Sequence, residues 1–508
     1  MLAKISSYGI SGMDAYPVMI EVDVGKGLPA AIIVGLPDNA VKESKERVRS
    51  AIKNSGFEFK PRRITINLSP GDIKKEGPSF DLAIAIGILA ASGQIPAERL
   101  ERYVILGELS LDGRLRPVTG MLPIALAVSP QKSQGLIIPY ENALHAALAR
   151  TVPVYPARTL SEAVQFLSQP DAAMAFSPRP TAPSTKTQTF AVDFADVRGQ
   201  FHAKRGLEVA AAGGHNCLMI GPPGSGKTML AKRVPTILPE MNDAEKLEVT
   251  NIYSVLGKIP AGEGLLAQRP FRSPHHTISD AAMVGGGPVP KPGEITMAHN
   301  GVLFLDELPE FNRKVLETLR QPLEERTVTI SRTARTIRFP AGFMLLASMN
   351  PCPCGYFTDP KKECRCAPQQ VQKYHAKISG PLLDRIDIHL DVPALLPQEL
   401  LSWSPPAETS ADMKKRICRA RAVQQQRLRK INLLTNAQMD HNHLKEFCPL
   451  DHAGQMLLKS AITELNLSAR AHDKIVKVAR TVSDLSGSER ILPEHIAEAI
   501  QYRCLDRT

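Results

Sequence analysis

The chain opens with short apolar runs that alternate with amphipathic stretches. Residues 18–24 (VMIEVDV) and 30–34 (AAIIV) are rich in β-branched residues and flanked by Gly or Pro, which predicts strands. Residues 39–54 carry Val41, Val48 and Ile52 at helical spacing and predict an amphipathic helix. Residues 64–68 predict a strand and 80–91 a buried helix. Residues 103–107 then predict a strand before a turn at Asp112-Gly113. This alternation describes an α+β or α/β domain over residues 1–167.

Residues 168–189 (SQPDAAMAFSPRPTAPSTKTQT) are rich in Pro, Ser, Thr and Ala without apolar period, and read as a linker. Beyond them, 217–220, 301–305 and 343–348 are continuous apolar runs, the pattern of strands buried in a parallel sheet. Strands alternating with helices imply a nucleotide-binding α/β core over 190–400. Within it, residues 327–339 alternate and predict a β-hairpin with basic residues near its tip. From about residue 405 the pattern turns helical, with a basic segment at 414–430 and helices over 453–464, 469–485 and 493–503. A helical lid over 401–508 is therefore expected. No internal repeat is present.

Composition narrows the class. At ~100–200 residues per domain, 508 residues predict about three domains. The content of 43% hydrophobic and 22% charged residues is that of a globular chain. The longest apolar run, residues 82–91, falls far below the ~20 residues that span a bilayer. The first residues lack the basic start and cleavage site of a secretory leader. Eight cysteines make no disulfide framework, so a reducing cytoplasm and no membrane partner are expected. The net charge of +11 fits a polyanionic partner and equally a soluble chain with solvated Lys and Arg. Aromatic residues at 5% disfavour a binder that stacks single-stranded bases.

The strongest motif is Gly221-Pro222-Pro223-Gly224-Ser225-Gly226-Lys227-Thr228, which fits G-x-x-x-x-G-K-[ST] between a strand and a helix. Its glycines let backbone N–H groups wrap phosphates. Lys227 is expected at the β/γ-phosphates of ATP and Thr228 on Mg²⁺. About eighty residues on, Val302-Leu-Phe-Leu-Asp306-Glu307 reads as a buried strand ending in two carboxylates. Asp306 is expected in the Mg²⁺ shell, and Glu307 is placed to polarise the attacking water.

Four cysteines, Cys352, Cys354, Cys364 and Cys366, fall in CPCGYFTDPKKECRC. Two C-x-C pairs on short loops suit a closed, structural zinc site, with free thiols or a redox pair as alternatives. Four thiolates leave no open position for catalysis. Cys217, Cys418, Cys448 and Cys504 are isolated and read as packing residues.

The motifs together resemble a known family. DVRGQ at 196–200, AAAGGH at 210–215, the phosphate loop and GEITMAHNGVLFLDELPEF at 293–311 are similar to the AAA+ ATPases of the magnesium-chelatase-like group. Over nearly its whole length the chain resembles the YifB/ComM family. That resemblance implies a Lon-protease-like (ribosomal S5 domain 2-like) α+β N-terminal domain, an AAA+ P-loop core and a helical lid. It further implies that Asn350 is the first sensor residue and Arg470 the second, and that Arg385 is an arginine finger given to a neighbouring subunit. A finger in trans requires a ring, which the family pattern makes a homohexamer.

The resemblance also locates an apparent protease site. Ser79, in Glu76-Gly-Pro-Ser79, matches the nucleophile segment of Lon-type proteases. Leu122 stands where those enzymes carry the activating lysine, so a fold without proteolysis is expected. For the ATPase, the resemblance implies a helicase that drives branch migration in recombination during natural transformation. Its partners would be single-stranded, forked or branched DNA and a recombinase. Arg332 and Arg335 are placed to track phosphates, and 414–430 is either a DNA-facing surface or a solvated helix face. A chelatase subunit and a protein remodeller are the alternatives. The first lacks its acidic, Pro-rich linker here and the second its aromatic pore loop. The segment RPFRSPHH at 269–276 has no assigned chemistry beyond structural hydrogen bonding by His275 and His276.

Overall fold

The structure is a computed structural model that describes residues 1–169, 174–177, 190–260, 262–287, 290–332, 335–357, 359, 362–394, 408–465 and 468–503. Most of the expected linker, Cys504 and the expected boundary near residue 400 lie outside the described residues. The chain packs as two units, Met1–Thr185 with Asp243–Leu266, and Lys186–Asn242 with Ala267–Thr508.

Among the described residues, the first unit is built on a seven-stranded sheet. Its order is Ala30–Val34, Arg63–Ser69, Asp14–Gly25, Leu2–Ser11, Tyr103–Ile105, Gly135–Pro139 and Val154–Ala157. Leu2–Ser11 and Asp14–Gly25 form an antiparallel hairpin, with Ile5 facing Ile20. The three strands from Tyr103 onward join in parallel. The helix Asn39–Asn54 buries one face through Val41, Ser44, Val48, Ala51 and Ile52, and Asp38 caps it by accepting Val41 N–H at 2.7 Å. The helix Asp81–Ala91 is buried on every side, as a uniformly apolar helix must be. The turn at Asp112-Gly113 closes a short hairpin, Glu108–Leu109 on Leu115–Arg116, with Gly113 at φ +84°.

Residues 243–266 belong by packing to this first unit although the sequence on both sides builds the second. Their helix, Asp243–Val255, buries Val249, Thr250, Ile252 and Ser254. It lies on the helix Met121–Ala127, where Gly120 N–H donates to Ser254 O at 2.8 Å.

Among the described residues, the second unit holds a five-stranded, wholly parallel sheet. Its order is Phe271–Arg272, Val302–Leu305, Met344–Met349, Cys217–Ile220 and Ile388–Asp391. The central strands are buried on both faces, so they read as unbroken apolar runs. The helices Phe201–Gly213 and Lys227–Ile237 cover this sheet. The helices Ser410–Leu428, His441–Phe447, His452–Leu465, Ala469–Ser486 and Pro493–Gln501 follow. Met413, Ile475, Val482 and Ile496 of these helices share one core with Leu207, Met219 and Leu346 of the sheet layer.

The fold class is the expected one: an α+β unit, then a parallel-sheet α/β core with a helical region. The hairpin also forms, Thr327–Arg332 pairing with Arg335–Pro340 in register from Thr327–Pro340 to Arg332–Arg335.

Candidate functional site

The phosphate loop leaves the strand Cys217–Ile220 at its C-terminal end and enters the helix that starts at Lys227. A Cβ on Gly221 would lie 2.0 Å from Val392 O, so only glycine fits there. Gly224 and Gly226 have φ of +78° and +94°, which turns successive backbone N–H groups to one side. Gln200 braces the loop from behind, its Nε2 donating to Ser225 O at 3.2 Å and Pro393 O at 2.7 Å. Ser225 Oγ is buried without a partner among the described residues. A buried hydroxyl left unsatisfied is costly, and a phosphate oxygen would satisfy it.

The side chains expected to act on nucleotide converge here. Lys227 is 8% exposed and its Nζ donates to Gly221 O at 2.7 Å, Pro222 O at 2.9 Å and Asn350 Oδ1 at 3.2 Å. Burial lowers its pKa to about 8, partly opposed by Asp306 and Glu307. Thr228 Oγ1 donates to Asp306 Oδ2 at 2.7 Å. Ser348 Oγ donates to Asp306 Oδ1 and also accepts Glu307 N–H, the latter at 3.2 Å. Strand pairing produces this arrangement, because Val302–Leu305 and Cys217–Ile220 both lie parallel to Met344–Met349. Three strand ends therefore deliver Thr228, Asp306, Ser348 and Asn350 to one edge. Thr228 and Asp306, already joined, present oxygen ligands that fit Mg²⁺.

Glu307 turns away at φ +56°, with its side chain 57% exposed. His276 Nδ1 stands 3.9 Å from its Oε2. Asn350 is held by Tyr374, whose hydroxyl accepts the Asn350 N–H and whose pKa burial pushes up to about 12.

The two remaining arginines lie differently. Arg385 is 11% exposed and ion-paired to Glu324, while its Nη1 donates to Pro381 O. Its partner is thus neither Asp384 nor Asp387. Asp387 instead forms a buried cluster with Lys474 Nζ at 2.7 Å and His215 Nδ1 at 3.3 Å. Burial raises the Asp387 pKa, but Lys474 and His215 outweigh it and hold the carboxyl well below its usual range. Arg470 is 62% exposed at the start of its helix, 3.8 Å from Asp384 Oδ2.

The four cysteines of 352–366 come together. Cys352 Sγ is 3.3 Å from Cys354 Sγ and 3.7 Å from Cys364 Sγ, and all four sulfurs lie within 4.8 Å of one another. Zn–S bonds of about 2.3 Å in a tetrahedron set S–S distances of about 3.8 Å, so this donor set fits zinc. The cysteine loop rests on the phosphate loop, since a Cβ on Gly355 (φ +87°) would lie 2.5 Å from Pro223 Cδ. His375 Nε2–H anchors it by donating to Pro351 O at 2.9 Å.

In the first unit, Leu122 is fully buried and its N–H donates to Ser254 Oγ at 3.3 Å. The position matching the protease lysine is therefore a packed contact with the helix Asp243–Val255. Ser79 is half-buried, its carbonyl accepting Gly107 N–H at 2.9 Å.

The basic segment 414–430 is largely committed within its own unit. Lys414 pairs with Glu240, Lys415 with Asp412, Arg416 with Glu208 and Glu408, and Arg427 with Asp484. Arg421 donates to Ala211 O at 2.6 Å. Five of the segment's cations are thereby held by partners of the same unit. The side chains of Arg332 and Arg335 lie outside the described residues; their backbones flank the hairpin tip.

Two site residues escaped the motif reading. Ser348 was signalled by a lone hydroxyl inside the apolar run FMLLASM. His276 was visible within RPFRSPHH but without a partner.

Comparison with known proteins agrees with this architecture. The family described as "Magnesium chelatase, subunit ChlI" matches residues 193–400, "Subunit ChlI of Mg-chelatase" matches 20–142, and "Magnesium chelatase, subunit ChlI C-terminal" matches 407–503. The chain is 44% identical over 517 aligned positions to the Competence protein ComM of Haemophilus influenzae, covering 100% of this chain and 98% of that one. It is 43% identical over 506 positions to YifB of Escherichia coli, with the same coverage. Lon protease 2 of Bacillus subtilis is 36% identical over 101 residues, 20% of this chain and 18% of that protease.

Proposed function

Because this chain belongs to the magnesium-chelatase-like YifB/ComM family of AAA+ proteins, we propose that it hydrolyses ATP to move on DNA, as a ring-shaped branch-migration helicase. The observation that carries the ATPase is the convergence of Lys227, Thr228, Asp306, Ser348 and Asn350 on the phosphate loop. Lys227 would exchange its carbonyl contacts for the β/γ-phosphates, and Ser225 would donate its free hydroxyl. Thr228 and Asp306 would hold Mg²⁺, which neutralises charge developing on the phosphates. Glu307 accepts the proton of the attacking water while Asn350 orients it. Arg385 would leave Glu324 to reach a neighbouring subunit's γ-phosphate, and Arg470 would close the lid region on the nucleotide. Four-cysteine ligation of zinc would fix the loop behind Pro223.

Two observations support the DNA part. A relative at 44% identity is named a competence protein, which supports a role in natural transformation. The hairpin Thr327–Arg332/Arg335–Pro340 carries two arginines at its tip, suited to sequence-independent phosphate contacts. A chelatase subunit is the second reading, favoured by the family descriptions.

ATP turnover with and without duplex, forked and four-way DNA, at two salt concentrations, tests the reading. A DNA motor gives stimulation that weakens with salt. An ATPase indifferent to every DNA, with no salt-dependent binding, excludes it.

A further inference from the structure

Two neighbouring parallel strands run to the same edge of the sheet. Phe271 pairs with Val302 and Arg272 with Leu303. His276 lies four residues beyond the first of these strands and Glu307 two beyond the second, past the same end of the sheet. There the His276 Nδ1 faces Glu307 Oε2 at 3.9 Å, an ion-pair rather than a hydrogen-bond distance. Among the described residues, His276 is the one ion-pair partner of that carboxylate.

The imidazole is held more firmly than the carboxylate it faces. Its ring stacks on His275, centroids 4.0 Å apart, and meets the edge of Phe311 at 6.4 Å. His275 is fixed in turn, its Nδ1 2.9 Å from Thr277 Oγ1. Glu307 has a tethered backbone, through Ser348, but an exposed side chain on a left-handed corner. Such a carboxylate explores several rotamers, few of which aim an oxygen at a water in line with the γ-phosphate.

We propose that His276 is a positioning residue for Glu307. Its N–H engages one carboxylate oxygen and leaves the other to accept the proton of the attacking water. Unbound catalytic hydrogen bonds are commonly long and tighten when substrate arrives, so a small rotation of Glu307 completes the contact. This inference rests on the ATPase reading of Glu307, and it gives the segment RPFRSPHH a task. Ordering the base in advance removes rotamer entropy otherwise lost on the way to the transition state. The effect therefore falls on kcat and not on nucleotide binding.

His276 borders an open cavity of about 580 Å³, shared with Asp280, Asn312 and Lys314. Truncating it seals no void in the core. The test is steady-state ATP hydrolysis by the full chain carrying His276→Ala or His276→Gln, beside Lys227→Ala and Glu307→Gln. Affinity for a fluorescent ATP analogue and the melting temperature are measured in parallel. His276→Ala is expected to lower kcat roughly tenfold or more while KM and nucleotide affinity stay within about threefold. His276→Gln keeps an N–H donor and recovers a large part of kcat. A kcat within about twofold of the parent in His276→Ala overturns the role. So does a Gln variant no better than Ala, or a loss of kcat that tracks lost nucleotide affinity or melting temperature. If Lys227→Ala and Glu307→Gln themselves keep turnover, it is the ATPase reading that falls, and this inference with it.

Discussion

Lys227 is buried among carbonyls, and burial brings its pKa to about 8. A lysine lowered in this way is cationic below that pH and neutral above it. Phosphates bind the cation, so nucleotide affinity is level below about pH 7 and falls about tenfold per pH unit beyond pH 8. Binding at pH 8–9 should also take up a proton, which calorimetry in two buffers of different ionisation enthalpy detects. A pH-independent affinity from 7 to 9 contradicts this account of Lys227. At this scale, much of the nucleotide site was legible because its chemistry is contiguous: the phosphate loop, the Asp306-Glu307 strand end and Asn350 each announce themselves locally. Ser348 and His276 were not: Ser348 meets Asp306 through the pairing of neighbouring strands, and His276 meets Glu307 through the turn that follows its own strand. Arg385 has two aspartates close by in sequence, Asp384 and Asp387, and pairs with neither. Glu324, sixty-one positions earlier in the chain, lies beside it in the fold instead.

Elements were legible where one period dominates. The helix Asn39–Asn54 and the strand Ala30–Val34 have the expected bounds. The first strand, Leu2–Ser11, gives a weak signal because its inward positions are Ala3, Ile5, Ser7 and Gly9, of which one is strongly apolar. The strand from Tyr103 is shorter than expected, ending at Ile105. No local pattern reports that the helix Asp243–Val255 packs in the first unit, since that choice depends on tertiary partners such as Gly120 and Leu122. The cysteine loop makes a sharper prediction. Its sulfurs fit one tetrahedral ion and its turn lies on Pro223. Elemental analysis of purified protein should find one zinc per chain. Chelation, or Cys352→Ser, should lower the melting temperature by several degrees, roughly 2–4 °C per kcal/mol lost, and slow ATP turnover. Metal-free protein with an unchanged melting temperature would refute the assignment.

For the whole molecule, net charge is a poor guide until its cations are placed. Of the 62 Lys and Arg residues, Lys227 lies at the end of the phosphate loop. Lys414, Lys415, Arg416, Arg421 and Arg427 are engaged inside the second unit. The DNA proposal is carried by the hairpin and its two tip arginines. Replacing Arg332 and Arg335 by Ala should weaken DNA binding for all sequences alike and reduce the slope of log K against log salt by about 1 per arginine. An unchanged slope would move the DNA surface elsewhere. The chain also passes between its two units at three points, near residues 185, 242 and 266. The first unit thus holds residues 243–266 against Gly120 and Leu122. The central claim is that ATP hydrolysis moves DNA. Conversion of a labelled four-way junction by the purified chain tests it most directly. The account predicts branch migration with ATP and Mg²⁺, none with a non-hydrolysable analogue, and none in Glu307→Gln. An intact junction in the presence of active ATP turnover would contradict it.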